Sequence, residues 1–340
     1  MRDKVHANFG VPEAADGIVE IILADRERRL IAALGDRDSF TADEAREALS
    51  EDEAPGITDK TASSEFLDTA YRRGVISVAE NDAAPSVPTR YAVTDFFARY
   101  TIVAVHERGV YLSIPEETRD GIEALYFDRY YDGLDWSRAG GRPTEDIVLT
   151  LGESVALLES KAGDGQAIYL TNCDCRSLKN GCGHAKDVCI SFEGGTNTWP
   201  DRGVSKEITL AGAKEVLARA DRDGLVHTES PHGICNCCTD CCYLFRSRER
   251  RNSGRVWPAA SKAVSVRAED CIGCGSCVKR CPFGALSFMS SKKVDIDESA
   301  CMGCGLCVSS CKPNALFLRQ LASFAENAGE PDGVKLLARD

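Results

Sequence analysis

The first hundred residues combine apolar positions at helical spacing with a short alternating stretch. Residues 14–34 place apolar side chains one helical turn apart and predict one long helix. Residues 41–49 open with a capping-box spacing and predict a short second helix. A third helix is predicted from about residue 58 to residue 74, and residues 75–78 and 90–93 then alternate as the strands of a hairpin.

Three helices followed by a hairpin resemble the winged-helix family over residues 12–95. The resemblance implies that the third helix is the DNA-recognition element. The charges of that helix balance, however, and residues 43–53 before it are strongly acidic. DNA binding needs several cations that contact phosphates, so we expect this domain to serve dimerisation or partner docking instead.

The next hundred residues alternate between helical and extended patterns. Residues 95–135 are aromatic at helical spacing, which predicts core or subunit-interface helices. Residues 135–143 contain Gly140 and Gly141 and predict a linker. Residues 144–160 predict a helix, and residues 167–170 predict a buried strand that ends shortly before Cys173.

Composition narrows the possible classes of protein. The chain has 340 residues, a net charge of −12 and no apolar run long enough to cross a bilayer. The negative charge disfavours nucleic acid and anionic membranes as partners. No export signal is visible, so the 17 cysteines predict metal binding in an anaerobic or microaerobic cytoplasm, not a disulfide framework. There is no haem-attachment motif, P-loop or dinucleotide fingerprint, while flavin and corrinoid remain open.

Two cysteine runs near the C-terminus repeat one spacing. Residues 271–281 and 301–311 both read C-x2-C-x2-C-x3-C. Thiolates bind iron, and glycines between the cysteines let the backbone fold tightly and aim N–H groups at a cluster. Eight evenly repeated thiols predict iron–sulfur clusters and not the separated pairs that are typical of zinc sites.

This repeat is similar to the two-cluster bacterial ferredoxin family over residues 264–318. In that family the fourth cysteine of each run binds the other cluster. The resemblance therefore implies a first [4Fe-4S] cluster held by Cys271, Cys274, Cys277 and Cys311, and a second held by Cys301, Cys304, Cys307 and Cys281. The second run departs from the first at Lys312, which displaces the following proline by one residue. A dry apolar shell is expected from Ile272, Phe283, Leu286, Phe288, Leu306, Leu316 and Phe317.

Nine further cysteines lie between residues 173 and 242. They are Cys173, Cys175, Cys182, Cys189, Cys235, Cys237, Cys238, Cys241 and Cys242. Cys235, Cys238 and Cys241 have a C-x2-C-x2-C spacing that predicts a third cluster, with a fourth thiol from the upstream group. Two separate sites are the alternative, and zinc competes for the upstream group because its spacing is not that of a ferredoxin. The region resembles ferredoxin-type proteins of anaerobes, which favours one shared site, and an additional iron–sulfur cluster is favoured over zinc.

These patterns predict an α+β multidomain protein. The expected parts are a winged-helix-like domain (1–95), a helical aromatic-rich connector (96–143), a cysteine-rich α/β middle domain (144–245), a basic linker (246–262), a two-cluster ferredoxin-like domain (263–320), and a C-terminal helix and tail (321–340) whose helix begins near residue 315.

Electron relay is the expected function. Two [4Fe-4S] clusters and a further cysteine-ligated centre would pass low-potential electrons to a partner redox enzyme. The alternatives are an oxidoreductase whose active centre is the middle cysteine site, and a redox-sensing winged-helix regulator. The expected partners are a redox protein or enzyme and a second copy of the chain bound through the N-terminal half.

Overall fold

The chain folds as two units, each built from two segments of the sequence. The computed structural model describes residues 1–50, 60–79, 88–290 and 293–321. Unit 1 combines Met1–Gly133 with Lys161–Ala213, and unit 2 combines Leu134–Ser160 with the described residues from Lys214 onward. Both units mix helix and sheet, in agreement with the predicted α+β class.

The helices are mostly short. In chain order they are α1 (Arg2–Phe9), α2 (Val19–Ile22), α3 (Asp25–Leu34), α4 (Ala42–Ser50), α5 (Lys60–Arg72), α6 (Phe96–Val105), α7 (Arg108–Ser113), α8 (Glu116–Asp132), α9 (Leu151–Gly163), α10 (Asp174–Lys179), α11 (Leu210–Arg222), α12 (Tyr243–Arg251), α13 (Ser276–Arg280) and α14 (Leu306–Ser309). The described residues also contain two 3-10 helices, Glu13–Ile18 and Ala139–Gly141.

The strands form small antiparallel sets within each unit. They are β1 (Phe40–Thr41), β2 (Ile76–Val78), β3 (Arg90–Val93), β4 (Ile147–Leu149), β5 (Tyr169–Asn172), β6 (Asp187–Ser191), β7 (Lys206–Glu207), β8 (Val226–Ser230), β9 (Gly233–Cys237), β10 (Lys262–Val266), β11 (Leu286–Phe288), β12 (Val294–Ile296) and β13 (Leu316–Gln320). In unit 1, β3 lies between β1 and β2, and β5 pairs with both β6 and β7. In unit 2, β8 lies between β4 and β9, while β10 pairs with β13 and β11 with β12.

Several local predictions for the N-terminal region agree with the structure. Thr41 and Glu44 form the predicted capping box, in which the Thr41 N–H donates to Glu44 Oε2 at 2.7 Å. β2 and β3 pair as the predicted hairpin strands. The start of the third predicted helix, residues 58–59, lies outside the described residues.

The predicted single helix over residues 14–34 is wrong, because the chain breaks into a 3-10 helix, α2 and α3. Leu23 and Ala24 are extended, and the Ala24 N–H donates to Glu27 Oε2 at 2.7 Å. A glutamate that reaches back to the residue before a helix marks a helix start. The apolar spacing continues through this new start and therefore conceals it.

Three predictions for unit 2 are also wrong. The predicted helix over 144–160 opens instead with strand β4, and α9 begins only after Thr150, whose N–H donates to Glu153 Oε2 at 2.9 Å. A helix is predicted from residue 315, but residues Leu316–Gln320 form strand β13. Residues 322–328 of that prediction lie outside the described part of the chain. The basic segment from Arg246 begins within α12 and is not an unstructured linker.

The aromatic stretch is helical, as predicted, and forms α6, α7 and α8. Phe96, Tyr100 and Tyr111 are fully buried, so the inward aromatic side chains belong to the core of unit 1. Phe96 and Tyr100 stack with ring centroids 5.4 Å apart. Among the described residues, no helix has the length and apolar character that crossing a bilayer requires.

A buried ion-pair network connects the helices of unit 1. The fully buried Arg99 donates from both terminal nitrogens to the Glu107 carboxylate at 2.6 and 2.7 Å, and from Nε to the Ile22 carbonyl at 2.9 Å. Arg73 binds Glu27 at 2.7 Å and Glu107 at 3.2 Å. Burial alone would raise the pKa of Glu107, but its bonds to Arg99 and the nearby arginine charges outweigh burial and lower this pKa.

We expect Glu107→Gln to destabilise unit 1 by about 3 kcal/mol, because it leaves the buried Arg99 charge without its carboxylate. Urea unfolding followed by circular dichroism, together with amide exchange of α6, measures the effect. The control Glu116→Gln changes an exposed acid and should stay within about 0.5 kcal/mol of the wild type.

The stability difference between wild type and Glu107→Gln should also depend on pH. A carboxylate with a lowered pKa stabilises the fold above its unfolded pKa, whose ordinary value is 4.5, and loses this effect as the pH falls through the folded value. The difference should therefore be constant near neutral pH and shrink below about pH 4.5. An unchanged difference in acid would contradict the assignment.

Candidate metal centres

The eight cysteines of the C-terminal repeat divide into two groups, each around one cavity. Group A consists of Cys271, Cys274, Cys277 and Cys311, which line one cavity. Group B consists of Cys281, Cys301, Cys304 and Cys307, which line the other. The structure thus brings together the same two sets of thiols that the sequence resemblance implies.

Two pairs of strands and two tight turns position these thiols. β10 and β13 pair across the ends of the domain, and β11 pairs with β12 between the two repeats. Gly275 and Gly305 have left-handed φ angles of 76° and 81° and start the short helices α13 and α14. Gly303 (φ 66°) leaves no room for a side chain, since a Cβ would lie 2.3 Å from the Lys262 carbonyl oxygen. The backbone here follows a path open only to glycine.

Backbone N–H groups point at the sulfurs. The Val264 N–H donates to Cys301 Sγ and the Ala285 N–H to Cys281 Sγ, both at 3.4 Å. The Ser276 backbone N–H, followed by its hydroxyl, lowers the pKa of the exposed Cys274 thiol. Hydrogen bonds to sulfur stabilise thiolates and tune iron–sulfur clusters. Four thiols around one cavity, with such donors to one thiol of group A and two of group B, fit the ligand set of a [4Fe-4S] cluster.

The two groups differ in exposure. In group B, Cys301, Cys304 and Cys307 are buried, and burial raises the pKa of Cys304 to about 12 and also raises that of Cys307. In group A, Cys274 is exposed. Binding a metal displaces thiol protons, so the buried group depends most on a cation to become charged.

The expected dry shell is correct only in part. Leu286, Leu306 and Leu316 are buried, but Ile272 is 73% exposed and Phe288 is 51% exposed. Both exposed residues line the cavity of group A. Met289, next to Phe288, is 52% exposed as well. Group A therefore has an apolar rim that faces solvent, a feature that residue type alone could not separate from core.

In unit 2, the middle cysteines are arranged by β9 and α12. Cys235 and Cys237 lie two residues apart on β9 and therefore share one face of the strand. The Cys237 thiol is in hydrogen-bonding contact with Cys235 and with Cys242, and these contacts together with burial raise its pKa. Cys242 is the N-cap of α12. The sulfurs of Cys238 and Cys241 lie within 4.8 Å of each other. Cys235, which the sequence spacing grouped with Cys238 and Cys241, thus contacts Cys237.

In unit 1, three of the four upstream cysteines come together. Cys173 directly follows β5 and is the N-cap of α10. Its thiol contacts those of Cys175 and Cys189. The Cys175 contact lowers the pKa of Cys173, but the Cys189 contact and burial outweigh it and raise this pKa. Cys182 is half-buried in the loop between α10 and β6.

Sequence reasoning missed one acidic group near the middle cysteines. Asp146 is buried immediately before β4, and burial raises its pKa to about 6. It bonds to Thr144, and the charges of Cys242 and His232 act on it. The Thr144 hydroxyl also accepts a hydrogen bond from Trp257 Nε1 at 2.8 Å. The only sequence signal was an acid directly before the β-branched run of β4.

Comparison with known families gives one result that agrees with this geometry. Residues 263–317 match the 4Fe-4S dicluster domain. The predicted dicluster segment is thereby confirmed, and the match supports at least one [4Fe-4S] cluster. With the 17 cysteines of the chain, it supports iron–sulfur electron transfer. Neither curated proteins nor solved structures give a match.

We expect Gly303→Ala to disrupt the dicluster domain, because its Cβ would collide with the Lys262 backbone. Gly284→Ala is the matched control: its φ is also left-handed, at 65°, but a Cβ there meets nothing within 4 Å. The control should cost about 1 kcal/mol from backbone strain alone, and Gly303→Ala clearly more. Thermal unfolding and bound iron of the anaerobically purified variants report the difference. Equal effects of both substitutions would show that the close approach is unimportant.

Proposed function

We propose that this protein transfers electrons through two [4Fe-4S] clusters, one held by group A and one by group B. The observation that carries the proposal is the crossed arrangement of four thiols around each of two cavities, within the segment that matches the dicluster family. Such clusters exchange single electrons at potentials that depend on hydrogen bonds to sulfur and on burial.

Group A is the side at which a partner redox protein docks. Its Cys274 is exposed, and Ile272, Phe288 and Met289 form an exposed apolar rim next to it. Exposed apolar side chains that are contiguous mark interaction surfaces. A partner that covers this rim would remove water from the path of the electron and shorten it.

Group B faces inward. Cys304 belongs to a buried core that also contains Cys237, Cys242, Phe245 and Trp257. Cys304 of group B therefore shares apolar packing with the middle cysteines Cys237 and Cys242 of unit 2. Electrons that enter at group A can pass through group B toward this interior, where a further cysteine-ligated centre would lie.

The N-terminal region of unit 1 serves docking or dimerisation in this proposal, as a winged-helix-like domain. The helices α3, α4 and α5 and the sheet order β1–β3–β2 support that interpretation. The last residue of α5, Arg72, forms an ion pair with Asp68 at 2.9 Å, and the next residue, Arg73, with Glu27 at 2.7 Å. Cations held in this way are poorly placed to contact phosphates, so a protein partner or a second copy of the chain is favoured over DNA.

Iron analysis and electron paramagnetic resonance of the anaerobically purified chain test the proposal. Two [4Fe-4S] clusters predict about eight irons per chain and, after reduction, a spectrum of two interacting clusters. Cys274→Ser and Cys304→Ser change one ligand in each group and should alter different parts of that spectrum. A chain that binds zinc at both groups, or one whose spectrum is changed identically by both substitutions, would refute the proposal.

We expect Ile272→Ser to slow electron transfer from the reduced protein to cytochrome c by about fivefold, the effect of losing about 1 kcal/mol of apolar contact at the rim. Stopped-flow oxidation measures the rate, and iron content verifies that the clusters are intact. Leu125→Ser is the matched control, since Leu125 is a 41% exposed apolar residue of unit 1, far along the chain from either cysteine group. Equal rates in all three proteins would place docking elsewhere.

A further inference from the structure

A buried histidine of unit 2 lies beside a carboxylate and belongs to neither cysteine group. His227, on β8, is 1% exposed. The oxygen of the Asn236 amide lies 2.5 Å from His227 Nδ1, so the Nδ1 hydrogen donates to it. His227 Nε2 has no hydrogen-bond partner among the described residues and lies 3.9 Å from Asp221 Oδ1. One ring nitrogen of this buried histidine is therefore able to accept a proton.

Asp221 connects this histidine to both cysteine repeats. Arg280, the residue before Cys281 of group B, donates to Asp221 Oδ2 at 3.4 Å and also to the Asp221 carbonyl. Ser309, two residues after Cys307 of group B, donates to the same carboxylate oxygen at 3.3 Å. The Asp221 side chain is 11% exposed and the His227 side chain only 1%. The carboxylate thus offers protons a path from solvent to the histidine ring.

The charges that face His227 form a compensated pair. Asp221 of α11 faces the ring, and Arg280 of α13 compensates this carboxylate. The partners of His227 on the two neighbouring strands, Asn236 of β9 and Leu149 of β4, are uncharged. Burial lowers the pKa of His227 below its ordinary value of 6.5, and its hydrogen bond to Asn236 and the charge of Asp221 offset burial only in part. The ring is therefore neutral at neutral pH.

We propose that His227 takes up a proton when group B gains an electron. This inference rests on the proposed function, in which group B holds a [4Fe-4S] cluster. A one-electron donor such as reduced methyl viologen supplies the electron, solvent supplies the proton, and an N–H bond forms at His227 Nε2. The added negative charge attracts Arg280, the neighbour of Cys281, and so leaves Asp221 less compensated. The histidinium pairs with Asp221, and the net charge of the region is unchanged.

The coupling determines how the midpoint potential of group B depends on pH. A proton that binds together with the electron favours reduction in acid, so the potential should fall as the pH rises. Between the pKa values of His227 in the oxidised and the reduced protein, each pH unit should change the equilibrium constant for reduction tenfold, or about 59 mV for one electron. Below both values His227 is protonated in either state, and the potential should be constant.

Redox titration of the anaerobically purified full chain tests the inference. Electron paramagnetic resonance follows the titration from about pH 5 to about pH 8, the range in which histidines change charge. The signal that Cys304→Ser alters identifies group B. We expect His227→Gln, which cannot titrate, to abolish the pH dependence. The control His106→Gln changes an exposed histidine of unit 1 and should keep the dependence of the wild type.

Proton uptake gives a second readout. A pH indicator present during reduction by methyl viologen should report about one proton for each electron that enters group B of the wild type, and none for His227→Gln. A wild-type potential that is independent of pH would overturn the inference whether or not the variant folds, and so would a dependence that His227→Gln retains. A chain without iron at group B would refute the proposed function together with this inference, whereas an intact cluster with a pH-independent potential refutes the inference alone.

Discussion

The exchange of one cysteine between the two repeats is the constraint on which the C-terminal half of unit 2 depends. Group A takes Cys311 from the second repeat, and group B takes Cys281 from the first. Neither set of four thiols exists until both repeats are folded against each other. The β10–β13 pairing brings the ends of the two repeats together, and the close approach of Gly303 to the Lys262 carbonyl fixes the second repeat against β10. A cluster that binds at either group therefore requires both repeats to be folded.

The same motif gives two unlike sites because its two copies have different neighbours. The second repeat places Cys304, Met302 and Leu306 in a core with Phe245 and Trp257. The first repeat leaves Cys274 and Ile272 at the surface. A buried cluster gains charge in a medium that stabilises charge poorly, so burial shifts its potential relative to an exposed cluster. In the proposed relay, the direction of electron flow therefore depends on packing around the motif and not on the ligands themselves.

The dicluster thiols could be grouped from sequence because the repeat resembles a known family, in which the fourth cysteine of each run binds the other cluster. The middle cysteines could not, since a C-x2-C-x2-C spacing groups thiols correctly only where the chain is a loop. Residues Gly233–Cys237 form a strand, whose two-residue period sets Cys235 beside Cys237. The strand forms because it pairs with β8, so the spacing of the cysteines alone does not reveal it. The helix wrongly predicted from residue 315 has the same origin, since Leu316 and Leu318 also alternate and their partner β10 lies some fifty residues earlier.

Each of the two units places one cysteine of a thiol group at the N-cap of a helix. Cys173 and Cys242 both cap a helix in nearly the same extended conformation, with φ, ψ of −61°, 118° and −64°, 122°. Each helix then ends at an asparagine in the left-handed conformation, Asn180 or Asn252. In both cases at least one further thiol contacts the capping cysteine. Thiols that strand and helix already order lose little additional entropy when they bind a ligand, in contrast to thiols gathered from flexible loops.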